Sequence, residues 1–336
     1  MMKYSVGLPT CMEGMMFPVP FATPEQVVEV ARHAEALGYD SVWGNDHMTT
    51  QQYVRGEFSE PPNFWDILIT YAFVAAATTR LRVGTGMIVL PLRRDIVVLA
   101  KQIATLDHFS GGRLEIGVGI GAYREEFEAL HPDWKVHRGD MVSEGMEALR
   151  ALFTERRASF EGKYYSFKDV EMFPKPLQAR LPLHIGGNSP AGVERAARHA
   201  DGWQPACLPV ETLRQSVERL RELAAGHGRD PEAFEIAPQY AVYVGRTHEE
   251  AVAKYRQSQM CKHFDSLSAS TLKGQKGMDH TDVNLIGDAA EVMAKAEALK
   301  AAGATHLMGI YFAVNTVPEL LDQMRVFAEE VIPGVG

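Results

Sequence analysis

The 336-residue sequence predicts an α/β protein of the (β/α)8 barrel class, a TIM barrel with inserted loops and a lid-like insertion late in the chain. Three observations predict it. Eight short apolar runs of strand length alternate with segments whose apolar residues recur every three or four positions, which is the pattern of βα repeats. The stretch TLDHFSGGRLEIGVGIGAY, residues 105–123, shows one repeat in full: a helix end, a Gly-Gly turn, a strand apolar enough to be buried on both faces, and a glycine-rich exit. No convincing linker interrupts the chain. Residues 1–336 therefore read as one domain, with insertions at about 156–180 and 258–283.

The elements follow in order. Residues 3–8 form the first strand, and a proline-rich loop to Phe21, long for a simple connection, follows it. Thr23-Pro24-Glu25-Gln26 starts a helix, with Thr as N-cap, Pro at the first helical position and Gln three residues after the cap. Val27, Val30, Ala31, Ala34 and Leu37 share one face and Gly38 ends it, ahead of a strand at 41–45. A helix at 64–79, a strand at 81–90, a helix at 96–109 and a strand at 113–118 continue the alternation. A helix at 138–155 precedes a small hairpin at 160–165 and a strand at 183–185. Then come a helix at 190–199, a strand at 202–205, a helix at 210–225 and a strand at 235–244. Residues 249–283 begin helically and turn polar and Gly/Ser/Lys-rich at 266–279, which reads as a lid. A helix at 289–302, a strand at 305–312 and a helix at 318–331 close the repeat.

Composition narrows the function. A hydrophobic fraction of 46% gives a large core, and a net charge of −9 without a long Lys/Arg run argues against a nucleic-acid partner. Three well-separated cysteines, Cys11, Cys207 and Cys261, fit a reducing cytoplasm. Pro9, Glu13, Gly14, Pro18 and Pro20 break up the early apolar residues, and no uninterrupted apolar run reaches transmembrane length, so the expectation is a cytoplasmic protein off the membrane.

In a barrel, chemistry sits where the strands end. Asp46-His47 closes the second strand and offers a histidine as acid, base or cofactor ligand; a capping aspartate beside a solvent-facing histidine reads the same. No His-x-His and no carboxylate cluster accompanies the pair, so no metal is expected there. Gly84 and Gly86 lie inside the third strand, either because a ligand rests on Thr85-Gly86-Met87 or because the barrel is crowded. Gly119, Gly121 and Tyr123 form the exit of the fourth strand. Gly186, Gly187, Asn188 and Ser189 close the fifth and open a helix, as a phosphate cradle or an ordinary N-cap turn. Neither glycine group has the spacing of a Walker or dinucleotide motif.

Together, Trp43-Gly-Asn-Asp-His47, Gly84-Thr-Gly-Met-Ile-Val-Leu-Pro91, Ala104-Thr-Leu-Asp-His-Phe-Ser-Gly-Gly-Arg113, Gly117-Val-Gly-Ile-Gly121, Pro174-Lys-Pro176, Ile185-Gly-Gly187 and Ala200-Asp-Gly-Trp203 resemble the bacterial-luciferase-like superfamily of flavin- or deazaflavin-dependent oxidoreductases. The resemblance runs over nearly the whole chain. It implies a reduced flavin-type ring at the strand ends, backed by a non-prolyl cis peptide at about Gly86-Met87. It also implies that Gly186, Gly187 and Gly202 lie near the cofactor phosphate and that Asp46 and His47 border ring and substrate. The superfamily's sugar-phosphate dehydrogenases carry a glutamate where this chain has Ala122, which turns the expectation away from that activity and leaves His47 as the acid/base residue. The Asp-His pair looks more like the branch that uses 8-hydroxy-5-deazaflavin, coenzyme F-420, than the FMN branch, so deazaflavin is slightly preferred over FMN. The expected reaction is hydride transfer to, or monooxygenation of, a small mostly apolar organic substrate. Met12, Met15, Met16, Phe17, Phe21, Tyr53, Phe64 and Trp65 are candidates for its apolar wall. A monooxygenase would draw reduced cofactor from a separate reductase, and relatives are commonly dimers or larger. The alternatives are a non-catalytic flavin-binding barrel and, third, a metal-dependent barrel hydrolase.

Overall fold

The structure, a computed structural model, describes residues 2–267, 271, 272, 275 and 277–335. Its strands are β1 (Lys3–Gly7), β2 (Ser41–Gly44), β3 (Arg82–Thr85), β4 (Ile88–Val89), β5 (Leu114–Gly119), β6 (Ala158–Glu161), β7 (Ser166–Val170), β8 (Leu183–Gly186), β9 (Gly202–Gln204), β10 (Glu235–Ile236), β11 (Gln239–Gly245), β12 (Leu285–Asp288) and β13 (His306–Phe312). Its helices are α1 (Pro24–Ala36), α2 (Ile67–Ala77), α3 (Ile96–Phe109), α4 (Arg124–Leu130), α5 (Arg138–Thr154), α6 (Pro190–His199), α7 (Val210–Gly226), α8 (His248–Gln257), α9 (Gln259–Leu267), α10 (His280–Val283), α11 (Ala289–Ala301) and α12 (Val317–Val326).

The large sheet is parallel and runs in the order β10-β9-β8-β5-β3-β2-β1-β13-β11-β12. β10 and β11 are two halves of one stave, interrupted at Ala237-Pro238, where proline supplies no N–H. The first half pairs with β9 and the second with β13, so this stave joins both ends of the sheet and closes an eight-stave barrel. β12 lies outside the ring and pairs with the last residues of β11, beyond the point where β13 has left it. Its sequence does not announce it, because Leu285–Asp288 offers only two large apolar residues ahead of a glycine and an aspartate, between two helices.

Local chemistry sets the helix starts. Thr23 accepts the Gln26 N–H at 3.3 Å and the Gln26 side chain accepts the Thr23 N–H at 3.0 Å, the reciprocal cap that the sequence predicts. Asp66 caps α2, so that helix begins three residues later than its apolar run. Inside the barrel, Trp43 is fully buried, and a Cβ on Gly84 would lie 2.3 Å from its indole. Crowding therefore explains Gly84. Gly86 is different: the nearest side-chain atoms would be 3.6 Å away, and its peptide to Met87 is cis. The expected strand at 81–90 is accordingly two strands, β3 and β4, with the ladder broken between them.

Of the expected insertions, the hairpin β6–β7 packs beside α5, whose Glu144 accepts the N–H groups of Lys163, Tyr164 and Tyr165. The described part of the late insertion lies over the carboxyl ends of the strands. Gln259 donates to the Gly14 carbonyl at 3.0 Å, Lys262 pairs with Glu57 at 2.7 Å, and Gln275 donates to the Cys207 carbonyl. Residues 268–270, 273, 274 and 276 of the expected lid lie outside the described residues. Among the described residues no helix is long and apolar enough to cross a membrane.

Candidate active site

Above the carboxyl end of the barrel, Met15, Val54 and Tyr123 form a small buried cluster of their own, with Tyr53, Phe58, Phe64 and Leu267 packed on it. Three loops and α9 supply these residues, so the cluster exists only once the barrel has closed and α9 has docked. His47 forms part of its wall, with its ring 6.0 Å from Phe64 and 5.8 Å from Tyr123. Of the other residues expected in that wall, Met12, Met16, Phe17 and Phe21 are instead core, with Phe17 stacked on Phe21 at 4.0 Å, and Trp65 packs against that core.

Glu126 holds His47. The carboxylate comes from the first turn of α4, is 1% exposed, and lies 3.3 Å from His47 Nδ1 while its other oxygen accepts the Met48 N–H at 2.5 Å. A carboxylate only accepts, so the contact places a proton on Nδ1 and leaves Nε2 as the nitrogen that can take or give one. Gln51, also buried, brings its amide within 3.2 Å of the same Nδ1; an Nδ1 proton fits this contact with the amide turned so that its oxygen, which has no other partner among the described residues, accepts. In the same cluster, Tyr53 Oη lies 2.8 Å from Nδ1 of buried His263 on α9. Burial, reinforced by the nearby His47, pushes His263 down to about 3, so it is neutral at physiological pH. Burial likewise pushes up Tyr53 and Tyr123, and both stay phenols. The thiols of Cys11 and Cys207 are driven upward by burial, Cys207 to about 12, so neither is a nucleophile.

The remaining expected site residues divide by what they touch. Asp46 is not open to a ligand: Arg93 clamps it at 2.7 and 3.4 Å, and it also accepts the Val89 N–H. Thr85 is closed as well, because its hydroxyl donates to the Gly117 carbonyl and accepts the Gly117 N–H, both at 2.8 Å. Ser189 caps α6, and the Asn188 amide makes two 2.8 Å bonds to the Ala206 backbone, so the turn satisfies itself with groups expected for a phosphate. Gly202 lies at the amino end of β9, level with His184 and Glu235 and away from the mouth. Its glycine makes room for the His184 ring, which would be 2.5 Å from a Cβ there. Gly121 is a turn residue at φ 79°, where a Cβ would meet Phe127 at 2.8 Å.

Met87, Gly119, Gly186 and Gly187 remain at the mouth. The Met87 thioether lies over the two strand-end glycines, 3.3 Å from a Cβ placed on Gly119 and 1.9 Å from one on Gly186. Gly187 faces open space, with nothing nearer than 3.9 Å. Gln204, the last residue of β9, is fully buried and neither atom of its amide has a partner among the described residues. The amide lies against Gly117 of β5, where a Cβ would come 2.5 Å from it, and an unpartnered buried amide suits a ligand with polar atoms.

The sequence matches the family described as luciferase-like monooxygenase over residues 2–331. The chain belongs to the luciferase-like monooxygenase family. It is therefore an oxidoreductase. Similar curated proteins include one of uncharacterized function from Mycobacterium tuberculosis, 33% identical over 60% of this chain and 74% of its own length. An FMNH2-dependent dimethylsulfone monooxygenase from Pseudomonas putida is 34% identical over 56% of this chain and 51% of its own. An F420-dependent glucose-6-phosphate dehydrogenase from Amycolatopsis mediterranei is 27% identical over 69% of each. Among solved structures, a monooxygenase, RslO1, from Streptomyces bottropensis superposes with a TM-score of 0.79 at 24% identity over 100% of both chains. An F420-dependent secondary alcohol dehydrogenase gives 0.80 at 22% identity, over 100% of this chain and 99% of that one. These share the luciferase-like barrel.

For this luciferase-like chain, sequence reasoning missed Glu126, Gln51, Gln204 and His263. Glu126 had a signal: Arg124-Glu-Glu-Phe127 follows the glycine-rich exit directly, one turn beyond the Ala122 position where a carboxylate was sought. His263 had none, since it sits in the irregular late segment and meets Tyr53 across 210 residues.

Proposed function

We propose that this protein transfers hydride from a reduced 8-hydroxy-5-deazaflavin cofactor to a small, mostly apolar organic substrate, with His47 as the proton donor or acceptor. The observation that carries the reading is the His47–Glu126 contact beside Phe64 and Tyr123: an imidazole with one nitrogen committed to a buried carboxylate, set in an aromatic wall. Met87, Gly119, Gly186, Gly187 and Gln204 are the residues that would hold the ring, and the Asp46-His47 pair supports deazaflavin over FMN. When bound, reduced deazaflavin supplies hydride, whereas reduced FMN also opens oxygen chemistry. The chain's own part is to orient the substrate against the aromatic wall, to exclude water beneath α9, and to move a proton at His47 Nε2.

Ala122 in place of the dehydrogenase glutamate speaks against a sugar phosphate. FMN-dependent monooxygenation is the second reading, favoured by the similarity to the dimethylsulfone monooxygenase, and it carries with it a separate reductase. We also infer a homo-oligomer, because Ile69 and Phe73 on α2 are 65% and 66% exposed and continue with Ala72 and Ala76 as an uncovered apolar stripe. The three unpaired cysteines support a reducing, cytoplasmic location.

Absorption titration of the purified protein with FMN and with the deazaflavin coenzyme, each oxidised and reduced, tests the reading. Tight binding of reduced deazaflavin alone is the expected result. Tight binding of reduced FMN with oxygen uptake replaces hydride transfer by monooxygenation, and binding of neither overturns the cofactor assignment.

A further inference from the structure

We propose that the amino-terminal end of the barrel, opposite the active site, carries a divalent transition-metal site of the zinc class built from Glu115, His184 and Glu235. One carboxylate oxygen from each glutamate and one ring nitrogen of the histidine lie within 4.8 Å of one another. The three residues come from β5, β8 and β10, far apart in sequence, so no ligand spacing announces the site.

The second observation is that two of the three groups lack partners. Glu115 is 3% and His184 2% exposed, yet Glu115 Oε2 and His184 Nδ1 have no hydrogen-bond partner among the described residues. Buried polar atoms left unpaired cost about 1–3 kcal/mol each. A cation held by these three residues would give such atoms the partner they lack. A set of one imidazole and two carboxylates suits zinc, at bond lengths of about 2.0–2.2 Å, with water in the fourth tetrahedral position. Ligands on one tetrahedral ion of this kind stand about 3.4 Å apart, so atoms within 4.8 Å of one another draw in by up to about 1.4 Å per pair as the ion binds.

The surroundings orient these ligands. Arg82 Nε donates to Glu115 Oε1 at 2.6 Å and Lys3 Nζ to Glu235 Oε2 at 2.9 Å. His306 Nδ1 contacts Glu235 Oε1 at 2.5 Å, and its Nε2 is 2.5 Å from Ser5 Oγ. Outer partners of this kind hold metal ligands in place. Gly202 gives the His184 ring its space. Arg82 and Lys3 also compete with an ion for the carboxylates, so removing Arg82 should tighten binding. An ion here would pin β5, β8 and β10 together where the last of them is interrupted by Ala237-Pro238, which is a structural role.

The full-length protein, stripped with a chelator and dialysed, would be titrated with Zn2+ by calorimetry and thermal unfolding. We expect one equivalent bound at micromolar concentration with a raised Tm, at least 100-fold weaker binding in His184→Asn and in Glu115→Gln, unchanged binding in His47→Ala, and tighter binding in Arg82→Gln. Diffraction from zinc-soaked wild-type crystals at the zinc edge needs no variant, and an anomalous peak bonded to Glu115, His184 and Glu235 is expected. No equivalent bound by the wild type, binding unaffected by His184→Asn, or an anomalous peak elsewhere only would each overturn the proposal.

Discussion

Glu126 and His47 meet across 79 residues, 3.3 Å apart, with the glutamate anchored at the same time on the backbone N–H of the residue after the histidine. The carboxylate therefore fixes both the loop that carries His47 and the proton on its ring. Glu126→Gln keeps an acceptor but loses the charge. It should lower kcat by about tenfold or more, with cofactor affinity and KM within a few-fold, while His47→Ala should lower kcat by about 100-fold or more. Steady-state kinetics beside a cofactor titration separate the two effects. An equal loss in kcat and cofactor affinity in Glu126→Gln would show that it merely holds the fold.

Asp46 and Arg93 form a second buried relationship that looks like chemistry in the sequence and acts as architecture. Asp46 joins the end of β2 to the residues that follow the cis peptide, through the Val89 N–H and the Arg93 guanidinium. Removing one partner of a buried pair leaves the other charge uncompensated, at a cost of about 3–5 kcal/mol. Arg93 keeps Asp66 at 3.2 Å, so Asp46→Ala belongs at the lower end of that range. Urea denaturation measures it, and a loss below about 1 kcal/mol would return Asp46 to the list of ligand-facing residues.

Gly186 lacks a side chain because Met87 occupies the space. In Gly186→Ala the new methyl would meet the thioether at 1.9 Å, and the flexible end of the methionine must swing out of its place at the mouth. Cofactor binding should weaken by about tenfold, with about 1–3 kcal/mol of stability lost to overpacking. Shortening the obstacle in Gly186→Ala/Met87→Ala should recover most of both losses, which a double-mutant cycle quantifies. Additive losses would mean that the two positions do not share this space.

The barrel was legible because its signals are local. Thr23-Pro24-Glu25-Gln26 caps α1 by contacts within four residues, and the apolar run of β5 needs no partner to be recognised. His47 and Tyr123 were singled out by position, since barrel strand ends are where loops converge, and their rings lie 5.8 Å apart. Asp46, Thr85, Asn188 and Ser189 have something in common that the sequence does not reveal. Each is a short polar side chain at a strand end whose hydrogen bonds are satisfied by neighbours that only the closed barrel brings near. Gln204 shows the converse: nothing in its sequence setting distinguishes a satisfied buried amide from the orphaned one that the structure contains.

On α2, Phe73 stands 66% exposed with Ile69 one turn away, on a helix whose other face is core. A soluble surface would carry charge there. Phe73→Glu puts a charge into the stripe, and if a second copy covers it the assembly should fall to monomers, read as the molar mass by light scattering. A wild type already monomeric at about 10 μM removes the stripe as a self-association surface.

His263 makes stability depend on pH in a defined direction. Its folded-state pKa is about 3 because burial disfavours the charged ring, against 6.5 for an ordinary histidine. Above pH 6.5 the ring is neutral folded and unfolded, and the full stability is present. Between 6.5 and about 3 the unfolded chain takes up a proton that the folded one refuses, so stability falls as pH falls, by up to about 1.4 kcal/mol per pH unit. His199, lowered to about 4 by burial and by Arg198, acts in the same sense over most of that window. His263→Asn should therefore remove part of the slope, not all of it. Urea denaturation of wild type and variant at pH 7.5, 6.5, 5.5 and 5.0 measures the difference. Parallel curves would mean that His263 is protonated in the folded protein, and with it would go the neutral Tyr53–His263 contact that closes α9 over the site.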